Sequence, residues 1–228
     1  MPEDGSKRGR THDAEAAREA ILDAAEQVFA EHGFDGARMD AIAKVAGYNK
    51  SLIFQYYGDK LKLYAEVMRR VDDQTRWIQE QVLPELSELD APIDRDKIAA
   101  VLRNFVGAYY DYLSEHPRGM RMFLWEMAEG WQIYAKIISQ RDYEDLNVFG
   151  PILDKVQRLG LLRSKLNPVI QIFSAVYMVH NYLGNIPINQ IFLPGEDFTS
   201  PEARARGKEF VVEFIVHGML ADPVAPKA

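Results

Sequence analysis

The fold is most constrained by one stretch of the sequence, residues 39–60, which reads MDAIAKVAGYNKSLIFQYYGDK. A short apolar face ends at Gly47, and a second helical spacing of apolar residues begins after Asn49. Gly47 can adopt the positive φ that helix C-termini favour, and the Asn49 side chain can accept a bond from a free backbone N–H of the next helix. The pattern predicts two short helices joined by a tight turn.

The second of these helices is predicted to be exposed and polar on one side, which is typical of a helix that enters the DNA major groove. Charge agrees with this interpretation. The chain carries a net charge of −7, which argues against nonspecific coating of nucleic acid. Residues 38–62, however, hold five basic and two acidic side chains, a local charge of +3. The positive region therefore coincides with the predicted helix-turn-helix.

A wider set of residues around this stretch follows a known pattern: Ile21, Ala24, Ala25, Phe29, Gly33, Phe34, Ile42, Ala43, Ala46, Gly47, Phe54, Gln55, Tyr56, Tyr57 and Lys60. In type and in ungapped spacing, residues 14–67 resemble the DNA-binding domain of the tetracycline-repressor (TetR) family of transcription regulators. The resemblance implies a DNA-binding regulator, and a repressor before an activator. Beyond Val67 it extends only to the overall layout.

The candidate DNA-binding residues are Arg38, Tyr48, Asn49, Lys50, Ser51, Gln55, Tyr56 and Lys60. Lysine can donate to guanine O6 and N7, and glutamine can bond adenine N6 and N7, so Lys50 and Gln55 are candidates for reading base edges. The resemblance implies that Tyr56 and Lys60 contact the phosphate backbone, and that Arg38 replaces a small hydroxyl residue of the family. The alternative for each residue alone is an ordinary solvated side chain.

The sequence predicts an all-α fold, because apolar residues recur at helical spacing and period-two alternation is absent. We expect a flexible tail at residues 1–12, a helix-turn-helix DNA-binding domain at 13–60, and a helical effector-binding and dimerisation domain at 61–228. The first helix is expected over 13–32. Residues 86–95 and 185–200 are expected to be irregular, one helix to run from Trp131 through a kink at Gly150, and the last to span 201–220.

Two segments of the larger domain, residues 169–183 and 210–219, are apolar on more than one face. Such a helix must be covered on both sides, so one side is predicted to face the core and the other a second copy of the chain. The resemblance implies the same homodimer. A two-fold dimer would place two recognition helices in successive major grooves, about 34–36 Å apart, on a palindromic operator.

An effector-binding site is predicted from large aromatic residues with polar neighbours in the middle of the chain, as small-molecule pockets require. The candidates are Phe105, Tyr109, Trp125, Trp131, Phe173, Tyr177 and His180. His180 is the most informative of them, since it interrupts the most apolar helix. The effector would be small and largely apolar or aromatic. The alternative is that these residues are ordinary core.

Other classes of protein find little support in the sequence. There is no cysteine, and the five histidines form no i, i+3 or i, i+4 pair with one another, so we expect no metal or cofactor. No nucleophile-elbow, dinucleotide-binding or phosphate-loop motif occurs, which disfavours an enzyme. We expect a cytoplasmic protein with no membrane segment. The main rival is an effector-independent DNA-binding or architectural dimer.

Overall fold

The computed structural model describes residues 4–87, 94–139, 150–163 and 165–222, and these form eleven helices. They are α1 (Asp4–Gly36), α2 (Met39–Ala46), α3 (Lys50–Tyr57), α4 (Lys60–Ser87), α5 (Arg95–Glu115), α6 (Pro117–Ala128), α7 (Gln132–Ile138), α8 (Gly150–Arg158), α9 (Pro168–Gly184), α10 (Ile186–Phe192) and α11 (Pro201–Met219). Apart from one isolated antiparallel bridge between Leu162 and Leu220, the described residues contain no β-structure. The predicted all-α fold is confirmed.

The chain divides into two compact units. The N-terminal unit comprises residues 1–74 and 117–140, and therefore holds α1 to α3, the first half of α4, α6 and α7. The C-terminal unit comprises residues 75–116 and 141–228. This division differs from the functional boundary expected after Lys60, because α6 and α7 group with the helix-turn-helix. The functional boundary itself stays a prediction.

The core of the N-terminal unit is built from the apolar faces of α1, α2, α3 and α4, together with residues of α6 and α7. Ile21, Phe29, Ile42, Ile53 and Leu63 are fully buried there. The helical conformation of α1 is interrupted at Gly33, whose φ of 67° and ψ of −178° suit only glycine. The predicted break at this residue is confirmed, and it lets the chain turn from α1 toward α2.

In the C-terminal unit, α5, α9 and α11 pack on one another, and α8 and α10 pack against α9. Side chains cap three of these helices at their N-termini. Asp94 accepts a bond from the Lys97 N–H of α5 at 2.8 Å, Asn167 from Val169 of α9 at 2.9 Å, and Ser200 from Ala203 of α11 at 3.1 Å. The predicted start of α11 is confirmed.

The helices differ from the sequence-based prediction in four places. α1 begins at Asp4 rather than Asp13, so helix replaces most of the expected tail, whose side chains lie outside the described residues. α4 continues to Ser87, and residues 88–93 of the expected loop also lie outside them. α7 ends at Ile138 and α8 begins at Gly150, with residues 140–149 again outside.

The fourth difference is α10, which forms inside the segment predicted to be irregular. Its proline, Pro187, lies in the first turn of the helix, where the missing N–H would have had no intrahelical acceptor. A proline at this position starts a helix instead of breaking one.

Candidate nucleic-acid interface

The helix-turn-helix has the local geometry that its sequence predicts. Gly47 ends α2 with φ 73° and ψ 16°, and its N–H donates to the Ala43 carbonyl. The Asn49 side chain accepts a bond from the Leu52 N–H at 2.8 Å and so caps α3. Because both residues are short-range signals, the turn is fixed by the residues within it.

The orientation of α3 is set by its apolar and aromatic residues. Ile53 is fully buried, and half-buried Tyr48, Tyr56 and Tyr57 pack against the core of the N-terminal unit. The Tyr57 hydroxyl donates to the Arg18 carbonyl at 3.0 Å, and burial raises the pKa of Tyr57 to about 12. With this face held, the exposed side chains of α3 include Lys50, Ser51 and Gln55, all three predicted to read or contact DNA.

Lys50 forms an exposed ion pair with Asp40, at 3.0 Å between Nζ and Oδ1. An exposed pair of this kind contributes less than about 1 kcal/mol. The carboxylate therefore holds the ammonium group near the start of α3 without preventing it from exchanging Asp40 for a base edge or a phosphate. This interaction was not predicted from the sequence.

Lys60, the predicted phosphate contact at the start of α4, contacts two residues near the end of α1. Its Nζ donates to the Asp35 carbonyl at 3.3 Å and lies 4.7 Å from the centroid of the Phe34 ring. Partial burial lowers the pKa of Lys60. One N–H at the start of α4, that of Lys62, is already bonded to the Asp59 side chain at 2.8 Å.

The remaining DNA-binding candidates lie at the edges of the motif. Arg38 is exposed and precedes α2, with its carbonyl accepting bonds from Ala41 and Ile42 N–H groups, while its side chain does not cap the helix. The centroid of the Tyr56 ring lies 5.1 Å from the Arg18 guanidinium carbon. All eight predicted residues thus lie in α3, beside α2 or α3, or at the start of α4, and all belong to one compact unit.

The seven effector candidates do not belong to one compact unit. Five are in the C-terminal unit: Phe105, Tyr109, Phe173, Tyr177 and His180. Tyr109 stacks on Phe105 at 6.2 Å between ring centroids, and its hydroxyl lies 3.5 Å from His180 Nε2. Phe173 and Tyr177 stack on each other at 6.3 Å on α9, where Phe173 is exposed and Tyr177 half-buried.

His180 is 1% exposed and neutral at physiological pH, because burial lowers its pKa. Its Nδ1 lies 3.0 Å from the Val176 carbonyl, which can only accept a hydrogen bond. Nδ1 therefore carries the proton, and Nε2 is the acceptor that faces Tyr109.

Trp125 and Trp131 are the two effector candidates of the N-terminal unit. The Trp125 indole N–H donates to the Ala30 carbonyl of α1 at 3.2 Å, and a Cβ on Gly33 would lie only 3.1 Å from the indole ring. Trp131 meets Phe123 edge to face at 4.9 Å. These side chains pack within the N-terminal unit, and the effector role of all seven residues stays a prediction.

One polar residue that the sequence analysis missed is Glu126 of α6, which is 1% exposed. Its carboxylate accepts a bond from the Tyr64 hydroxyl at 2.7 Å and from the Tyr134 N–H at 3.0 Å. A signal was available, because Gly119, Met122 and Glu126 follow helical spacing and form the buried face of α6. The period alone places this carboxylate inside.

Apolar side chains lie exposed on three helices of the C-terminal unit. Ile170 and Phe173 of α9 are 50% and 49% exposed, and Phe210 and Phe214 of α11 are 56% and 58% exposed. On α10, Ile191 and Phe192 are also exposed. A shallow groove of about 780 Å³ runs along α11, lined by Arg163, Arg206, Glu209, Phe210, Glu213, Phe214, His217 and Gly218.

The part of the chain that the structure describes contains neither a membrane-spanning helix nor a cluster of metal ligands. Each helix there is too short or too polar to cross a bilayer. No three histidine or carboxylate side chains of those residues gather closely enough to hold a metal ion.

Two family models match the chain. The model described as "Bacterial regulatory proteins, tetR family" matches residues 21–67, and the model described as "Tetracyclin repressor-like, C-terminal domain" matches residues 99–215. The first covers the second half of α1, the helix-turn-helix and the start of α4. The second covers half of the chain and extends from α5 to α11.

Known proteins agree with these matches. The HTH-type transcriptional repressor SCO4008 of Streptomyces coelicolor is 32% identical over 68% of this chain and 79% of its own length. The HTH-type transcriptional repressor NicS of Pseudomonas putida is 25% identical over 92% of this chain and 95% of its own. A TetR family transcription regulator from Marinobacter aquaeolei VT8 has the same fold, with a TM-score of 0.64, 21% identity, and coverage of 93% of this chain and 100% of that one.

Proposed function

The chain belongs to the TetR family of bacterial regulatory proteins, and from this premise we propose that it is a dimeric repressor that responds to a ligand. As a dimer it binds a palindromic DNA operator, and it leaves the operator when a small, largely apolar or aromatic effector binds. DNA binding and transcription regulation follow from the family. Dimerisation, repression and the response to an effector are the proposal.

The observation that carries the proposal is the exposed polar face of α3. Lys50, Ser51 and Gln55 face solvent while the opposite face of the helix is buried, so the side chains that can bond base edges are held in a fixed direction. Tyr56 and Lys60 are proposed to contact phosphates and thereby set the register of α3 on the duplex.

The dimer is proposed to form through α9 and α11. Each exposes large apolar side chains, Phe173 on α9 and Phe210 and Phe214 on α11, which a second copy of the chain would cover. A two-fold axis at this surface would bring two α3 helices into successive major grooves, about 34–36 Å apart.

Repression is proposed because two relatives, SCO4008 and NicS, are named as repressors. We place the effector among the five aromatic and histidine candidates of the C-terminal unit, where Tyr109 and neutral His180 can orient a largely apolar molecule. Its binding would favour a conformer in which the two α3 helices no longer match the operator. Only a ligand with different affinities for the two conformers can do so.

Selection of bound duplexes from a pool of random DNA sequences tests the operator part of the proposal. The expected result is a palindrome with half-sites about one helical turn apart. Enrichment of unpaired half-sites, or of no sequence at all, would contradict a dimeric repressor.

The effector part is tested by thermal denaturation in the presence of a panel of small aromatic and aliphatic compounds. A compound that binds the native state must raise the melting temperature, and it should also release the selected operator. If no compound changes either quantity, the protein acts as an effector-independent DNA-binding dimer.

A further inference from the structure

Glu126 is a buried carboxylate whose two oxygens bond two different helices. Burial of a charge is costly unless hydrogen bonds compensate it, and here one donor comes from α4 and the other from the start of α7. The α4 donor is the Tyr64 hydroxyl, at 2.7 Å from Oε1. The α7 donor is the Tyr134 N–H, at 3.0 Å from Oε2. The same residue thus ties α6 to two neighbours.

The bond to Tyr134 caps α7. Two residues in the left-handed region, Gly130 at φ 73° and Trp131 at φ 63°, separate α6 from α7, and the Tyr134 N–H in the first turn of α7 bonds Glu126 of α6. A carboxylate at a helix N-terminus is favoured by these N–H groups and by the helix dipole. The Tyr134 hydroxyl also donates to Asp72 of α4, at 3.3 Å from Oδ1. The α6–α7 hairpin is therefore anchored to α4 at two levels.

The bond to Tyr64 leads toward the DNA-binding candidates. The Tyr64 ring meets Phe34 edge to face at 5.1 Å between centroids. Phe34 in turn lies under the Lys60 ammonium group, at 4.7 Å, and the same group donates to the Asp35 carbonyl. A continuous series of contacts therefore runs from Glu126 through Tyr64 and Phe34 to Lys60, and all four residues lie in the N-terminal unit.

A second close approach supports the same anchoring. A Cβ on Gly119 of α6 would lie 3.2 Å from the Val71 Cγ1 of α4, so the two helices meet with no space for a larger residue. Such packing transmits a displacement instead of absorbing it, because protein interiors are close-packed.

We propose that Glu126 is a positioning residue for DNA binding: it holds Tyr64 and Phe34 in the arrangement that places Lys60 against a phosphate. The proposal rests on the phosphate contact proposed above for Lys60. Glu126 thereby makes α6 a working part of the DNA-binding unit, and loss of its bond to Tyr64 alters how firmly that phosphate is held. Glu126 itself does not touch DNA.

The test uses the full chain and a duplex of random sequence, since a phosphate contact does not depend on sequence. Affinity is measured as a function of salt concentration for the unmodified protein and for Lys60→Ala, Tyr64→Phe, Glu126→Gln and Tyr134→Phe. Lys60→Ala should reduce the magnitude of the slope of log K against log salt by about 2, because a dimer loses one phosphate contact in each of its two protomers. Tyr64→Phe and Glu126→Gln should lower it by at least half as much.

Tyr134→Phe is the matched control. It also removes a hydroxyl that donates to a carboxylate in the same unit, but it keeps the Tyr134 N–H bond to Glu126 and lies outside the path to Lys60. Its salt slope should equal that of the unmodified protein. This should hold even if urea denaturation shows that Tyr134→Phe and Tyr64→Phe lower the free energy of unfolding equally. If Glu126 only stabilised the fold, Tyr64→Phe and Tyr134→Phe would have the same salt slope.

A double-mutant cycle completes the test. In the Lys60→Ala background, Tyr64→Phe should change neither affinity nor slope further, because the contact it positions is already gone. If Lys60→Ala lowers the slope but Tyr64→Phe and Glu126→Gln do not, the positioning role is overturned while the phosphate contact stands. If Lys60→Ala leaves the slope unchanged, the proposed contact of Lys60 fails, and the positioning role fails with it.

Discussion

The two compact units present opposite kinds of surface. In the N-terminal unit, α3 packs Ile53, Tyr56 and Tyr57 against the core and exposes Lys50, Ser51 and Gln55. In the C-terminal unit, α9 and α11 leave Phe173, Phe210 and Phe214 in solvent. A polar face in a fixed direction suits the base edges and phosphates of DNA, whereas an apolar face suits another protein surface. The chemistry of each exposed helix thus indicates its partner before any partner is seen.

Aromatic residues show the same contrast in the interior. Trp125 is bonded to the Ala30 carbonyl and packed on Gly33, so its surroundings explain it as a structural residue. Tyr109 and His180 in the other unit bring a hydroxyl and a neutral imidazole together. Aromatic content alone treats these regions as one pocket, but the structure divides them between two compact units.

The strongest challenge to this comparison is to make the apolar surface charged. Phe214→Glu should raise the dimer dissociation constant about 1000-fold, equivalent to about 4 kcal/mol, because two carboxylates would be buried in one interface. Sedimentation equilibrium measures the change. Met127→Glu, at an exposed apolar residue of the N-terminal unit, is the control and should remain dimeric. Two dimeric variants would refute the proposed interface.

The close packing of Trp125 on α1 is tested by Gly33→Ala. The substitution places a Cβ at 3.1 Å from the indole and forces a non-glycine residue to φ 67°, which together should lower the free energy of unfolding by about 3 kcal/mol. Urea denaturation gives this value. Gly36→Ala is the control, since its Cβ would meet only His32 at an ordinary 3.5 Å. Equal effects at the two glycines would contradict the structural role of Trp125.

The polar face of α3 is tested by comparing base-reading with phosphate-contacting residues. Lys50→Ala and Gln55→Ala should each reduce the preference for operator over random DNA by about 2 kcal/mol, since each removes a contact to a base edge. Lys60→Ala should weaken binding to both kinds of DNA and lower the salt dependence. Fluorescence anisotropy titrations with both duplexes distinguish these results. Three variants that lose affinity equally for both duplexes would refute the assigned roles.

The smallest effect is expected from the buried imidazole of the C-terminal unit. Because the pKa of His180 is lowered by burial, the unfolded chain takes up its proton at a higher pH than the folded protein does. The free energy of unfolding should therefore fall as pH decreases below about 6.5, until the lowered pKa is reached, by no more than about 1.4 kcal/mol per pH unit. His180→Gln should have a shallower pH dependence in urea denaturation. An unchanged dependence would mean that folding does not lower the pKa of His180.

The helix-turn-helix could be predicted from the sequence because its signals are local. Gly47 and Asn49 act on N–H and carbonyl groups within four residues of themselves, and Asn167 and Ser200 do the same for α9 and α11. Such caps need no knowledge of the rest of the fold. Pro187 shows the limit of these signals, because a proline breaks or begins a helix according to the turn that it occupies.

The unit in which each aromatic residue packs could not be predicted, because it depends on which helices meet. The bond from Tyr64 to Glu126 joins residues 62 positions apart, and the bond from Trp125 to Ala30 joins residues 95 positions apart. Periodicity can identify the buried face of a helix but not the unit that this face joins. The ion pair of Lys50 with Asp40 could not be predicted either, because the two side chains meet only when α2 and α3 pack together.

The position of Trp125 also equips the protein with an optical probe. The chain has three tryptophans, and two of them, Trp125 and Trp131, lie in the N-terminal unit, while Trp77 is 41% exposed in the other. Indole emission moves to longer wavelength as water approaches the ring. A Trp77→Phe variant would therefore emit from the DNA-binding unit alone, and its spectrum would report, without any label, whether α6 and α7 shift when operator is added.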